Sequence, residues 1–222
     1  MQPHECNGRT KARTRSTSGD AAGVFNSQKE PMSLPPLPLS AISIGVPAED
    51  WRAAVLAAGA ALERSGAASE AYAARMVAVI EEFGAYVVIA PGLALAHARP
   101  GKDVLHNGLS VVTLAEPVAF GHPHNDPVSV VVGLAVSTAD QHVHFVAELA
   151  NVFNNASVIP SLAAATDAEG IRELFGLGLA QTSSNPAISP ASVAAYKAAA
   201  AAAAATAAAA AAAADTAAAE AP

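Results

Sequence analysis

The spacing of the large apolar residues changes from a helical to a strand period partway along this chain. From Trp51 to Phe83 these residues recur every three or four positions, which is typical of amphipathic helices. Between residues 86 and 136 they form short alternating or valine-rich runs bounded by glycine and proline, which predict strands. Helical spacing returns after Thr138 and after Thr166, each followed three positions later by Gln or Glu in capping-box register. This order predicts an α/β domain with helices packed on a sheet.

Both ends of the chain are of low complexity. Residues 1–40 are polar and then proline-rich, and residues 181–222 are mostly alanine, so neither end offers large apolar side chains at regular spacing. We therefore expect a disordered leader at 1–40, one folded domain at 41–180 and an alanine-rich tail at 181–222. About 140 residues suit a single domain with one hydrophobic core.

Charge and cysteine content exclude several classes of protein. Residues 41–194 carry six Lys or Arg and fourteen Asp or Glu, whereas nucleic-acid-binding proteins depend on basic surfaces. We predict no membrane insertion, because the longest uncharged stretch is nearly all alanine and only weakly apolar. Cys6 is the single cysteine, so no internal disulfide can form, which is typical of a reducing compartment such as the cytoplasm.

His97 is the leading candidate for chemistry among six histidines that lie between His97 and His144. It ends an alternating apolar run just before a Pro-Gly turn, where a strand can hold its ring rigidly at a cleft. Arg99 follows two positions later and would point to the same face on an ideal strand. A histidine beside a guanidinium suits a phosphoryl group, because the imidazole accepts the group and the cation offsets its charge.

The helix predicted after Thr138 separates two further histidines. His142 shares a face with Phe145 and Leu149 and lies in the first turn, where the helix dipole favours an anion. A core histidine with a satisfied hydrogen bond is the alternative for this position. His144 is about 200° farther round the helix at 3.6 residues per turn, so we expect it to face solvent.

A second group of candidate ligands lies in a turn-rich segment. His122, His124 and Asp126 include an HxH pair, which on a strand can hold a zinc ion. Pro123 favours a loop instead, and no further ligands follow at zinc-site spacing, so we predict no metal and no cofactor. A metal-dependent enzyme that uses these three residues is kept as an alternative.

Three segments carry a resemblance to a known family: "YVVIAPGLALAHARPG", "VTLAEPVAFGHPHNDPVSV" and "AVSTADQHVHF". Together they resemble the enzyme IIA domain of the bacterial phosphoenolpyruvate-dependent phosphotransferase system. The branch is the mannitol–fructose type, and ascorbate-type members are closest. The similarity extends from about residue 48 to about residue 178. It implies an α/β fold in which a mixed β-sheet is covered by helices on both faces.

The resemblance also implies an activity and partners. It makes the chain a phosphotransferase with a phosphohistidine intermediate, in which His97 accepts a phosphoryl group from the phosphocarrier HPr. His97 would pass the group to a IIB component for uptake of a carbohydrate, with ascorbate as the leading choice. His142 matches a second active-site histidine that stabilises the phosphoryl group. A regulatory module of the same fold, which signals by its phosphorylation state, is the alternative.

Overall fold

The structure, a computed structural model, describes residues 34–183, with side chains described as far as residue 177. Short 3₁₀ turns lie at Leu39–Ala41 and Ala85–Val87. The strands and helices follow one another as β1 (Ile42–Val46), α1 (Trp51–Arg64), α2 (Glu70–Phe83), β2 (Val88–Ala90), β3 (Leu93–His97), β4 (Gly108–Val118), β5 (Val128–Ala135), α3 (Ala139–Phe153), α4 (Val158–Ala163) and α5 (Ala168–Ser183).

The strands form one mixed sheet in the order β1-β4-β5-β3-β2. β1 runs parallel to β4 and β3 runs parallel to β5, whereas β4 with β5 and β2 with β3 are antiparallel. The β3–β5 register pairs Leu93 with Val130 and His97 with Leu134. The mixed sheet implied by the family resemblance is therefore confirmed.

Helices cover both faces of this sheet. Along β3, Ala94 and Ala96 face the core formed with α1 and α2, while Leu93 and Leu95 face the core formed with α3, α4 and α5. Strand residues alternate between faces, and every β3 residue from Leu93 to His97 is buried, so this strand lies in the middle of the domain. The prediction of helices on both faces is confirmed.

The helix starts follow local capping chemistry. The Asp50 side chain accepts a hydrogen bond from the backbone N–H of Ala53 at 2.8 Å and begins α1. α5 begins one residue later than the sequence indicates, because Asp167 rather than Thr166 caps it and accepts from the N–H of Gly170 at 2.7 Å.

Two elements were missed in the sequence. β1 has only five residues and includes Gly45 at φ 61°, so its alternation is too short to identify. α4 has six residues with Pro160 inside its first turn, which a propensity argument assigns to a loop. Both are stabilised by packing against their neighbours, which sequence spacing does not report.

The described structure begins at residue 34, within the leader expected at 1–40. Pro35 is buried, and Leu34 and Leu37 pack against the core that contains α3, α4 and α5. The rest of the leader and most of the alanine-rich tail, residues 1–33 and 184–222, lie outside the described residues. α5 extends to Ser183, three residues past the expected domain boundary.

We predict opposite effects for two Gly→Ala substitutions. A Cβ at Gly59 on α1 would stand 2.8 Å from the Cα of Ala73 on α2. Gly59→Ala should therefore lower the free energy of unfolding by about 1–3 kcal/mol, since the helices must separate. Gly176→Ala in α5 meets nothing within 4 Å and should raise it by about 0.5–1 kcal/mol. Urea denaturation measures both; equal shifts would contradict the close α1–α2 contact.

A second prediction concerns the start of the domain. A chain that begins at residue 34 should unfold at the same urea concentration as the full chain. A chain that begins at residue 41 should lose about 2 kcal/mol, because it lacks the apolar contacts of Leu34, Pro35 and Leu37. Equal stability of the two shortened chains would show that these contacts contribute nothing.

Candidate active site

The sheet topology brings the two candidate histidines to one edge. β3 and β5 are adjacent and parallel, so their carboxyl ends lie side by side. β3 ends at His97, and β5 continues through residues 136–138 into α3. The first turn of α3 therefore begins next to His97, at the kind of strand-end crevice where α/β proteins bind ligands.

His97 is buried at the end of β3, with 8% of its surface exposed. Its Nδ1 lies 2.8 Å from the carbonyl oxygen of Leu95. Because a carbonyl only accepts hydrogen bonds, we assign the ring proton to Nδ1, which leaves the lone pair on Nε2. Burial lowers the pKa of His97 below its usual 6.5, and the hydrogen bond to Leu95 partly opposes this shift. The ring is therefore mostly uncharged at neutral pH.

His142 lies in the first turn of α3, and its ring centroid is 4.9 Å from that of His97. Burial, with a further contribution from His97, lowers the pKa of His142 to about 4, so this ring is also neutral. Its Nδ1 is buried and has no hydrogen-bond partner among the described residues. His142 is therefore not a core histidine with all of its hydrogen bonds satisfied, because Nδ1 lacks a partner in the described part of the chain.

A polar network fixes the first turn of α3. Thr138 and Gln141 form the predicted capping box, with the Gln141 N–H donating to Thr138 Oγ1 at 3.4 Å. The Asn107 side chain accepts from both the N–H and the hydroxyl of Ser137, each at 2.9 Å, and donates to Gln141 Oε1 at 3.2 Å. Asn107 was missed in the sequence, where "DVLHNG" has the composition of an ordinary surface turn.

Tyr86 is a second residue of the site that the sequence did not reveal. Its ring meets the His97 ring edge-on, with centroids 5.8 Å apart and an interplanar angle of 88°. The run "YVVIA" predicts a strand from residue 86, but residues Ala85–Val87 form a 3₁₀ turn and β2 begins at Val88. This turn places the Tyr86 ring against His97. The only sign of this contact in the sequence is an aromatic side chain in an otherwise aliphatic run.

Strand alternation does not set the direction of the Arg99 side chain. β3 ends at His97, so strand alternation does not extend to Arg99, whose side chain is exposed. Its backbone carbonyl accepts a hydrogen bond from the Arg75 guanidinium. The Arg99 guanidinium forms no hydrogen bond or ion pair with any described side chain, and this includes His97 and His142. A direct role for Arg99 stays a prediction.

His144 is less exposed than expected. Only 25% of its side chain is accessible, and its Nε2 lies 3.5 Å from a carboxylate oxygen of Glu148, one turn farther along α3. Burial raises the pKa of Glu148, and the nearby His144 opposes this shift. The ring is therefore partly exposed to solvent, and its partner lies on the same face of α3.

The other histidine group holds a loop together. The Asp126 carboxylate accepts from the N–H groups of Phe120, Gly121 and His122. His122 Nδ1 accepts from the N–H groups of His124 and Asn125, at 3.2 and 3.0 Å. This loop joins the end of β4 to the start of β5, at the sheet edge opposite His97. Within residues 34–183, no group of three His, Cys, Asp or Glu side chains is arranged to hold a metal ion.

Solved structures similar to this chain include IIA proteins of the phosphotransferase system (PTS). A crystal structure described as a PTS IIA (PtxA) of Streptococcus mutans is 28% identical, with a TM-score of 0.59, and the match covers 67% of this chain and 92% of that chain. The IIA mannitol structure of Escherichia coli is 25% identical, with a TM-score of 0.55 and coverage of 62% and 97%. Within the described residues, no helix has the length and apolarity needed to cross a membrane.

Sequence comparison identifies the family. The model of the family described as "Phosphoenolpyruvate-dependent sugar phosphotransferase system, EIIA 2" matches residues 36–176. The ascorbate-specific PTS system EIIA component of Escherichia coli (strain K12) is 32% identical over 135 residues, which are 60% of this chain and 88% of that protein. The chain belongs to the EIIA 2 family, and the resemblance found in the sequence is confirmed. Its members are phosphocarriers that pass phosphate toward a IIB component during sugar uptake.

The lowered pKa of His142 predicts a pH-dependent stability. The folded ring has a pKa of about 4 against about 6.5 when unfolded, so its contribution is complete above pH 6.5 and is lost as the pH falls toward 4. Between pH 7 and pH 4, the free energy of unfolding of His142→Asn should fall by up to about 3 kcal/mol less than that of the wild type. Urea denaturation at a series of pH values measures this difference. His124→Asn, at an exposed loop histidine, is the control. Parallel curves for wild type and His142→Asn would contradict the shift.

Proposed function

We propose that this protein accepts a phosphoryl group from HPr on Nε2 of His97 and passes it to a IIB component. The observation that carries the proposal is the hydrogen bond from His97 Nδ1 to the Leu95 carbonyl. It selects the tautomer whose Nε2 carries a lone pair, and burial keeps that tautomer uncharged at neutral pH. Family membership supports the same chemistry.

The transfer step follows from this tautomer. The Nε2 lone pair attacks phosphorus and forms an N–P bond, while the bond between phosphorus and the donor atom breaks and its electron pair returns to the donor. The His97 ring then carries a positive charge, which the Leu95 carbonyl stabilises through the Nδ1–H. The positive ring is a good leaving group, so the same atoms support the second transfer to IIB with the bond changes reversed.

His142 stabilises the transferred group in this proposal. Its neutral ring lies beside His97, and the dipole of α3 favours an anion at this first turn. Phosphoryl transfer requires mainly positioning and electrostatic stabilisation, which a neutral hydrogen-bond donor and a helix N-terminus both supply. Arg99 is exposed and carries a cation that would offset phosphoryl charge from outside the strand.

We infer that the transport system takes up ascorbate and that the protein acts in the cytoplasm. The inference about the carbohydrate rests on relatives named ascorbate-specific EIIA components, which this chain matches over 88% of the length of the Escherichia coli protein. The inference about the compartment rests on a single cysteine, Cys6, which excludes an internal disulfide.

Three histidine variants test the proposal. With enzyme I, HPr and radiolabelled phosphoenolpyruvate, the wild-type chain should take up one acid-labile phosphate. His97→Ala should take up none, because the nucleophile is lost. His142→Ala should slow labelling by roughly 100-fold, as expected for the loss of one positioned donor. His144→Ala, on the same helix but paired with Glu148, is the matched control and should label at the wild-type rate.

Labelling of His97→Ala at the wild-type rate would overturn the assignment of the nucleophile. The second transfer separates uptake from regulation. Label that moves on to an ascorbate-specific IIB protein supports the uptake function. Label that stays on this chain in the presence of IIB would contradict the uptake proposal and favour the regulatory alternative.

A further inference from the structure

The hydroxyl of Tyr72 joins two backbone segments directly behind the site. Tyr72 lies on α2 and is fully buried. Its oxygen accepts the N–H of Ala98 at 3.1 Å and lies 2.7 Å from the carbonyl of Leu134, to which it donates. Burial raises the pKa of Tyr72 to about 12, so the hydroxyl keeps the proton that this donation requires.

Ala98 and Leu134, the two partners of the Tyr72 hydroxyl, lie where the backbone pairing of β3 with β5 ends. His97 and Leu134 are the last paired residues of β3 and β5, and Ala98 is the next residue after His97. The Tyr72 hydroxyl thus connects the strands with a side-chain bridge just past their final pair. An apolar residue at this position would leave a buried N–H and a buried carbonyl without that partner.

The same helix holds the loop that follows. Arg75, one turn after Tyr72, donates to the carbonyl of Arg99 and forms an ion pair with Asp103 at 2.9 Å. The N–H of Ser69 donates to the Asp103 carbonyl at 2.8 Å. The chain is therefore fixed to α2 as soon as it leaves β3, and Tyr72 makes the contact nearest to His97.

We propose that Tyr72 is a positioning residue for phosphoryl transfer, which sets the location of His97 Nε2 by fixing the backbone on the carboxyl side of the ring. The proposal rests on the function proposed for His97. Leu95 holds the ring itself through Nδ1, and the Tyr72 bridge at Ala98 holds the other side of the same residue. With both sides anchored, Nε2 has one position relative to an incoming phosphorus atom.

Tyr72→Phe tests this proposal because it removes only the hydroxyl. In single-turnover transfer from phosphorylated HPr, the rate at saturating donor should fall by about 10-fold to 100-fold, since small misplacements of a reacting atom have effects of this size. The HPr concentration that gives half the maximal rate should stay unchanged, because the hydroxyl is buried and does not meet HPr. Wild-type transfer by a folded Tyr72→Phe chain would overturn the proposal.

A destabilised control separates positioning from a general loss of stability. Ile42→Ala removes a buried side chain on β1, three strands from β3, and should lower stability but transfer at the wild-type rate. If it slows as much as Tyr72→Phe, the effect is general and the proposal fails. In ¹⁵N NMR spectra, the backbone amide signal of Ala98 should shift in Tyr72→Phe and stay in place in Ile42→Ala.

A second variant covers the case in which Tyr72→Phe does not fold. Replacement of Ala98 by lactic acid removes the N–H that Tyr72 accepts, but it leaves the Tyr72–Leu134 hydrogen bond intact. The same slowing is expected, and an unchanged rate would overturn the proposal. Labelling of His97→Ala would instead overturn the proposed function itself, so the two failures are distinguishable.

Discussion

The parallel pairing of β3 with β5 is the constraint on which the site depends. Five residue pairs, from Leu93–Val130 to His97–Leu134, align the carboxyl ends of the two strands. Because β5 lies between β3 and β4, the chain leaving His97 must pass the end of β5 before it enters β4. This path brings Asn107 to the start of α3, where it bonds to Ser137. His97, the first turn of α3 and the network that caps this helix therefore meet because of one strand register.

Burial gives this site a neutral pair of histidines. Desolvation lowers the pKa of His97 and of His142, so neither ring competes for protons near pH 7. A buried polar atom without a partner is costly, and His142 Nδ1 is such an atom. In the proposed function a phosphoryl oxygen accepts from this atom, which offsets the cost that the resting fold bears there.

Sequence patterns predicted the parts of this structure that depend on local periodicity. Alternation placed His97 at a strand end, and helical spacing placed His142 on the buried face of a first turn. The patterns did not predict β1, α4 or the packing of residues 34–40, because these are short segments stabilised by distant neighbours. They also did not reveal the bridging role of Tyr72. In the sequence it is one apolar member of a helical stripe, and only the buried hydroxyl, which needs a partner, marks it as different.

A phosphocarrier must release the group it accepts, and the arrangement around His97 fits this requirement. A charged clamp that held the phosphoryl group tightly would lower the energy of the phosphorylated state and slow the second transfer. Here the neighbouring ring of His142 is neutral, with a pKa of about 4, and the side chain of Arg99 is exposed. Water screens an exposed charge, so in the proposed function Arg99 would attract a phosphoryl group without retaining it strongly. In the proposed mechanism, the uncharged groups around His97 at Leu95, Tyr86 and Tyr72 contribute position rather than charge. Position accelerates transfer in both directions equally, because it stabilises neither the free nor the phosphorylated state over the other.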